Sequence, residues 1–310
     1  MGSTVWLSKG HDPHLSVIAG SSSPGQALTP GHKKGWSPQA VGQLMRLCDK
    51  EVSPIGLGTW GMGGGFWAPD YSDDERYVRA LRYAYERGIR VFDTAEMYGG
   101  GHSEELVGQA LREFQEDVVI VSKVWPNHLR YDDLVRSAEA SRRRLGVRSI
   151  DLYLIHWPNP EVPIGESIRA LEDLIDRGVI RCMGVSNFDV RLLQEAMGAA
   201  RKYEVVADEV EYSVYHREPE AELIPFARRA GVTIIAYSPL GRGQAARDRF
   251  LAEIGRKYGK TAIQVALNYL LPNSIPIPKA STKEHIDELL GAVGWALSPE
   301  DVEAIRRRYR

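Results

Sequence analysis

From about residue 55 the chain alternates between short runs of apolar, β-branched residues and longer stretches with a helical period. IGLGTW leads into the helical run DDERYVRALRYAYERG, whose Gly88 suits a C-terminal cap. GIRVFDTA, SEELVGQALRE and DVVIVSK repeat the rhythm, followed by YDDLVRSAEASRRRLG, SIDLYLIHW, PIGESIRALEDLIDRG and VIRCMGVS. The second half continues with DVRLLQEAMGAARKY, EVVADEVEY, EPEAELIPFARRAG and VTIIAYS, then TAIQVALNYLL, SIPIPK and KEHIDELLGAVG. An amphipathic piece, PEDVEAIRRRY, ends the chain. Runs such as VVIVS and TIIAYS, apolar at every position, fit a parallel sheet covered on both faces. Eight such units in about 250 residues predict an α/β protein of the closed (β/α)₈ barrel type, a single domain over residues 45–310. An open doubly wound sheet would have fewer strands and a point where strand order reverses.

Residues 1–44 show neither period. They are rich in Ser, Gly, Pro and His, with SSSPGQALTPGHKKG at their centre, and read as a flexible extension. His11, His14 and His32 lie there without Cys or carboxylate at ligand spacing, so no metal site is expected. Met45, just before recognisable fold, would serve as a natural start.

The chain has 310 residues, 43% apolar, and a formal net charge of −2. That suffices for a large core and leaves no basic block for nucleic-acid phosphates. Arg142-Arg143-Arg144 and Arg306-Arg307-Arg308 fall on helical patterns and are expected to face solvent. No apolar run approaches a membrane span and no signal peptide is evident, so a cytoplasmic protein is expected. The two cysteines, Cys48 and Cys182, are read as reduced thiols, Cys182 because it sits inside the apolar run VIRCMGV.

Gly56-Leu57-Gly58-Thr59-Trp60-Gly61 satisfies G-x-G-x-x-G, but Pro54 precedes it and Met62-Gly63-Gly64-Gly65-Phe66-Trp67-Ala68-Pro69 follows. No helix can open on it, so the dinucleotide-fold reading fails. Its glycines are expected to let the chain pass close to a bound ligand.

The chemistry is concentrated where strands end. Asp93, Lys123 and His156 close or follow three successive apolar runs, and Tyr98 lies shortly after the first. Singly, each has an ordinary structural explanation: a helix cap, a surface amine, a core imidazole, a turn. At one end of adjacent barrel strands they form a proton-transfer site. A free phenol, with pKa near ~10, is a reluctant acid at neutral pH. An ammonium at Lys123, held by Asp93, is expected to lower that value, and His156 to hydrogen-bond a substrate oxygen.

FDTAEMYGGGHSEELVGQAL, VSKVWP, IDLYLIHWPNP, GVSNF and IPKAS, in this order, resemble the aldo-keto reductase family from about residue 50 to the C-terminus. The resemblance implies that Asp93, Tyr98, Lys123 and His156 form an active-site tetrad. The implied reaction is hydride transfer between a nicotinamide and a carbonyl carbon, with Tyr98 as acid. It further implies NADPH, with NADH possible, lying extended on the barrel mouth beside Thr59 and Trp60. Ser186 and Asn187 match the carboxamide pair, Tyr237 the stacking aromatic, Ser238, Leu240 and Arg242 the pyrophosphate loop, and Lys279 and Ser281 the 2′-phosphate region. Three positions depart from the pattern: Glu209 stands where Gln is common, His285 where Arg is, and Leu289 where Asn is. These leave dual cofactor use open.

Trp60, Trp67, Trp125 and Trp157, with Pro126, are expected to line an aromatic substrate pocket. A small-molecule carbonyl substrate and a monomeric state are expected, without nucleic-acid or membrane partners. A cofactor-binding regulatory subunit of the same fold is the alternative. A lyase or isomerase with Lys123 as Schiff-base amine ranks lower, because it leaves GVSNF and AYSPLG without a role.

Overall fold

The computed structural model describes residues 45–310. The predicted extension, its histidines and the boundary at 44 lie outside the described residues, apart from Met45, which opens the first strand. An antiparallel hairpin, β1 (Met45–Leu47) and β2 (Lys50–Val52), precedes the barrel. The eight barrel strands are β3 (Leu57–Gly58), β4 (Val91–Asp93), β5 (Val119–Val124), β6 (Ile150–Ile155), β7 (Ile180–Ser186), β8 (Val205–Glu211), β9 (Thr233–Tyr237) and β10 (Ile275–Pro276). Each pairs in parallel with its sequence neighbour. The sheet closes where Gly56 N–H donates to Pro276 O at 2.9 Å and Gly58 N–H to Pro278 O at 3.1 Å.

That closure explains the glycine motif. A β-carbon on Gly58 would lie 2.7 Å from the carbonyl oxygen of Ile277, and one on Gly56 would lie 2.8 Å from the Ile277 side chain. The two glycines therefore serve the approach of the first strand to the last, and Gly58 also lines the cavity at the barrel mouth. The motif was legible as glycine for contact; its partner was not.

Between the strands run α1 (Asp74–Glu86), α2 (His102–Leu111), α3 (Tyr131–Leu145), α4 (Ile164–Asp176), α5 (Val190–Ala199), α6 (Leu223–Ala230), α7 (Arg249–Tyr258) and α8 (Ala262–Leu270), and after β10 come α9 (Lys283–Leu290) and α10 (Pro299–Arg308). Local chemistry sets their ends. Asp248 accepts from Leu251 N–H at 3.1 Å to start α7, and Thr261 with Gln264 forms a capping box on α8. Gly88 takes φ 100° just beyond α1, as its position suggested.

Strand alternation decides which residues face the chemistry. Every residue of β5 and β6 is buried, as expected for strands covered on both sides. Val91, Val119, Val121, Leu152, Leu154, Ala207, Ile235, Ile275 and Ile277 pack together inside the barrel, with Leu47 and Val52 of the hairpin. Side chains two residues apart point the same way. Continuing each strand toward its C-terminal end therefore turns Asp93, Lys123, His156, Glu209, Tyr237 and Lys279 to the same interior side. The intervening residues, such as Ile120, Tyr153 and Val210, pack with the helices.

Two expectations are corrected. Arg144 does not simply face solvent: its Nε donates at 2.6 Å to Glu104, an acid of α2 fully buried behind Ser122. The period marks the outer face of α3 but not the buried acid opposite. Cys48 and Cys182 are not separate thiols but paired as a disulfide, with Cα atoms 6.1 Å apart. The hairpin brings Cys48 against the start of β7, a proximity across 134 residues that spacing alone does not reveal.

Candidate active site

The C-terminal mouth of the barrel opens into a cavity of 740 Å³. Asp93, Tyr98, His156, Glu209, Tyr237 and Lys279 line it, with Lys123 fully buried beneath. The Lys123 ammonium pairs with Asp93 Oδ2, donates to the Thr94 carbonyl at 2.9 Å, and lies 3.4 Å from Glu209 Oε1. It also sits 5.2 Å from the Tyr98 ring centroid. The Tyr98 and His156 rings are 5.8 Å apart, edge to face. All four predicted tetrad residues thus meet at one place.

Burial alone would lower the Lys123 pKa, but the charges of Asp93 and Glu209 outweigh it and raise it, so the amine stays charged. Burial, reinforced by Lys123, holds His156 down to about 2. It is a neutral imidazole, and its Nδ1 is buried without a hydrogen-bond partner among the described residues. Tyr98 departs from expectation. Burial pushes its phenol up, and the pull of Lys123 is opposed by Asp93 and Glu209. Burial outweighs the pull of the ammonium, so Tyr98 rests as a protonated acid.

Two loops hold Tyr98 in place. Trp67 N–H donates to Met97 O at 3.0 Å and Gly99 N–H to Gly65 O at 2.7 Å, and Phe66 bridges Tyr98. The glycine-rich loop after β3 is therefore stitched to the loop after β4. Glu96 fastens the other side, accepting the Trp125 N–H at 2.7 Å and meeting His128 Nδ1 at 2.9 Å.

The predicted cofactor residues divide. Tyr237, Ser186, Asn187, Ser238, Leu240, Arg242, Glu209, Lys279 and Trp60 reach the cavity; Thr59, Ser281 and His285 do not line it. Thr59 is buried, donating to the Asp93 carbonyl at 2.8 Å and meeting Ser103 Oγ at 2.7 Å. His285 is exposed in the first turn of α9, where its N–H donates to Thr282 Oγ1 at 3.3 Å. Asn187, at φ 62°, donates to the His156 carbonyl and Ser186 Oγ, both at 3.0 Å, and accepts from the Tyr237 hydroxyl at 2.8 Å. Ser238 and Arg242 also have positive φ, of 49° and 54°, in the turn after β9. Non-glycine residues take that region rarely, and such strain gathers at binding loops.

Of the four tryptophans, Trp60, Trp125 and Trp157 line the cavity. Trp67 does not; it packs edge-on against Trp125, with ring centres 6.2 Å apart. Pro126 is absent from the lining, and the sequence reading missed Phe66 and Met97, which belong to it. Phe66 stands 4.9 Å from Trp60, ring centre to ring centre. An aromatic in a glycine-rich run was a visible signal, but its direction depends on the stitching to Tyr98.

Comparison with known proteins agrees with this architecture. The sequence profile of the Aldo/keto reductase family matches residues 54–310. Methylglyoxal reductase YeaE of Escherichia coli (strain K12) is 33% identical over 268 residues, covering 84% of this chain and 92% of YeaE. The crystal structure of the thermostable aldo-keto reductase Tm1743 in complex with the inhibitor epalrestat superposes with a TM-score of 0.80 at 46% identity, over 85% of this chain and 98% of that one. An aldo/keto reductase from Klebsiella pneumoniae, crystallised with NADP and acetate, gives 0.80 at 33% identity, over 87% and 96%. A family profile running from the first barrel strand to the C-terminus, on a barrel that superposes this well, places the chain in the aldo/keto reductase family, as an oxidoreductase.

Proposed function

We propose that the chain reduces aldehydes or ketones to alcohols with NADPH, and that Tyr98 donates the proton. The observation that carries this reading is the meeting of a protonated phenol, a buried ammonium and a neutral imidazole at one cavity wall. The chemistry supplied by bound NADPH is a hydride to the carbonyl carbon. Reduction would build negative charge on the carbonyl oxygen. Tyr98 gives its proton to that oxygen, which completes the alcohol, and Lys123 stabilises the phenolate left behind. His156, neutral, has one N–H with which to orient the same oxygen.

The residues present fit such a cofactor. The turn after β9, with its positive-φ Ser238 and Arg242, offers backbone to a pyrophosphate. Tyr237 offers a ring face at the end of β9. Lys279 is exposed at the cavity rim, and partial desolvation together with the nearby Arg76 charge lowers its pKa, so an anion there would be welcome. A 2′-phosphate is such an anion, which favours NADPH, while the absence of His285 from the cavity leaves NADH usable. The relative crystallised with NADP supports the same choice. Trp60, Phe66, Trp125 and Trp157 make an apolar, aromatic vestibule suited to small aldehydes, of which the relative named a methylglyoxal reductase takes one.

The test is to titrate the purified full chain with NADPH and with NADH by fluorescence. Cofactor oxidation is then followed with methylglyoxal and with aromatic aldehydes. Binding of NADPH followed by aldehyde-dependent oxidation is expected; failure to bind either nucleotide overturns the reading.

A further inference from the structure

Two acids share one ammonium at the bottom of the cavity. Lys123 on β5 holds Asp93 of β4 on one side, and Glu209 of β8 places Oε1 3.4 Å away on the other. All three are shut off from solvent. With every group ionised, two anions would face one cation in a dry interior. Two carboxyls crowded in this way cannot both ionise readily, and the pair keeps a proton.

Geometry says which one keeps it. Asp93 is in direct contact with the ammonium, so it has the stronger claim to ionise. Glu209 is farther away, and its Oε2 is buried without a hydrogen-bond partner among the described residues. An ionised carboxylate would not leave an oxygen bare there, whereas a neutral acid tolerates it better.

We propose that Glu209 is a positioning residue that holds the extra proton of this cluster, and that loss of this proton weakens Tyr98 as a catalyst. With Glu209 neutral, Lys123 and Asp93 balance, and the ammonium can still favour the phenolate that Tyr98 must become. With Glu209 ionised, a second negative charge cancels that pull. The groups facing Glu209 are Asp93 from β4, Lys123 from β5, Tyr98 from the loop after β4 and Tyr237 from β9. His156, beyond β6, is neutral, and Asp208 on the same strand points to the opposite face. Burial, then Asp93, raise Glu209 well above the usual carboxylate range, against the opposing pull of Lys123. A glutamine at this position has no such proton to lose, so the pH response would be specific to the acid.

The inference rests on Tyr98 as the proton donor, and two readouts separate the two. The first is infrared spectroscopy of the full chain and of Glu209→Gln in D₂O. A component of the protonated-carboxyl band is expected at neutral pH that disappears at alkaline pH and is missing from Glu209→Gln, while the contribution of Asp208 remains. Should that variant not fold, the band is sought in Asp208→Asn, where the other buried acid of β8 is silent. The second is kcat for aldehyde reduction against pH at saturating NADPH, each protein scaled to its own maximum. The alkaline fall is expected to move upward by at least one pH unit in Glu209→Gln. Identical bands in the full chain and in Glu209→Gln, no band in Asp208→Asn, or superimposable scaled profiles overturn the inference. An active Tyr98→Phe would instead overturn the assignment of the acid, and would leave the infrared result untouched.

Discussion

The Lys123 ammonium lies 5.2 Å from the centre of the Tyr98 ring, and both residues are buried. This pairing separates two effects that act on one phenol. Burial keeps the proton on Tyr98, while the ammonium stabilises the anion formed when the proton leaves. An acid loaded at rest and supported only on reaction is well arranged for reduction.

Tyr98→Phe removes the proton but keeps the ring against Trp60 and His156. Reduction should fall by about 10²-fold or more, since positioned acids contribute ~10²–10⁴. NADPH affinity should change little, because the hydroxyl is not required to seat the nucleotide. Steady-state rates beside a fluorescence titration check both halves. A variant that turns over at the wild-type rate would exclude Tyr98 as the acid.

Lys123→Met leaves Asp93 and Glu209 facing each other without a cation. Removing one partner of a buried ion pair costs about 3–5 kcal/mol. The sign of the pH dependence follows from both carboxyls having raised folded pKa values. Such groups keep protons that the unfolded chain releases, so stability falls as pH rises above the ordinary carboxylate range. Without Lys123 both are raised further. The stability deficit of the variant should therefore be small near pH 4 and widen toward pH 8, as thermal melts across that range would show.

Most of the barrel and its tetrad was legible because both follow from period. Apolar runs marked strands, and parity along them turned Asp93, Lys123 and His156 to one side. Glu96 was not legible. It lies between two motif residues, yet its task is to fasten the loop of Trp125, through contacts 29 and 32 residues away. Nor was the partner of Gly56 and Gly58, which belongs to the far end of the chain. The direction of the Tyr98 shift was misjudged for a related reason. Sequence named the ammonium and one acid, but the burial that dominates the shift depends on how the loops after β3 and β4 are stitched over the phenol.

His156 gives a second pH signature, opposite in sign to that of the carboxyls. Its folded pKa, near 2, lies below the unfolded value, so the unfolded chain binds the extra proton first. Its contribution to stability is present above about pH 6.5 and is lost as pH falls, by about 1.4 kcal/mol per unit. His156→Asn removes that titration. Its stability relative to wild type should improve as the pH is lowered from 7 to 4, in denaturant melts at each pH. Parallel curves for the two proteins would show that His156 is not held neutral by its site.

Asp208, next to Glu209 on β8, points away from the cavity into the layer between strands and helices. It is fully buried, and the neighbour that favours its ionised form is the backbone N–H of Phe188, too poorly placed for a good hydrogen bond to either oxygen. Burial raises its pKa well above the usual value; the Phe188 N–H opposes the shift and the nearby Asp189 charge adds to it. No cation offsets this, in contrast to Glu209. Keeping the proton on Asp208 therefore costs stability at every pH above the ordinary carboxylate range. Asp208→Asn replaces the acid with a neutral group of the same shape and needs no proton. It should stabilise the protein at pH 7–8 by at least about 1 kcal/mol, roughly 2 °C or more in Tm for a chain of this size. The gain should shrink toward pH 4, where wild-type Asp208 is protonated whether folded or not. Because the residue faces away from the cavity, kcat and NADPH affinity should stay unchanged. A variant that melts lower at neutral pH would show that the contact with the Phe188 N–H outweighs the cost of keeping the proton.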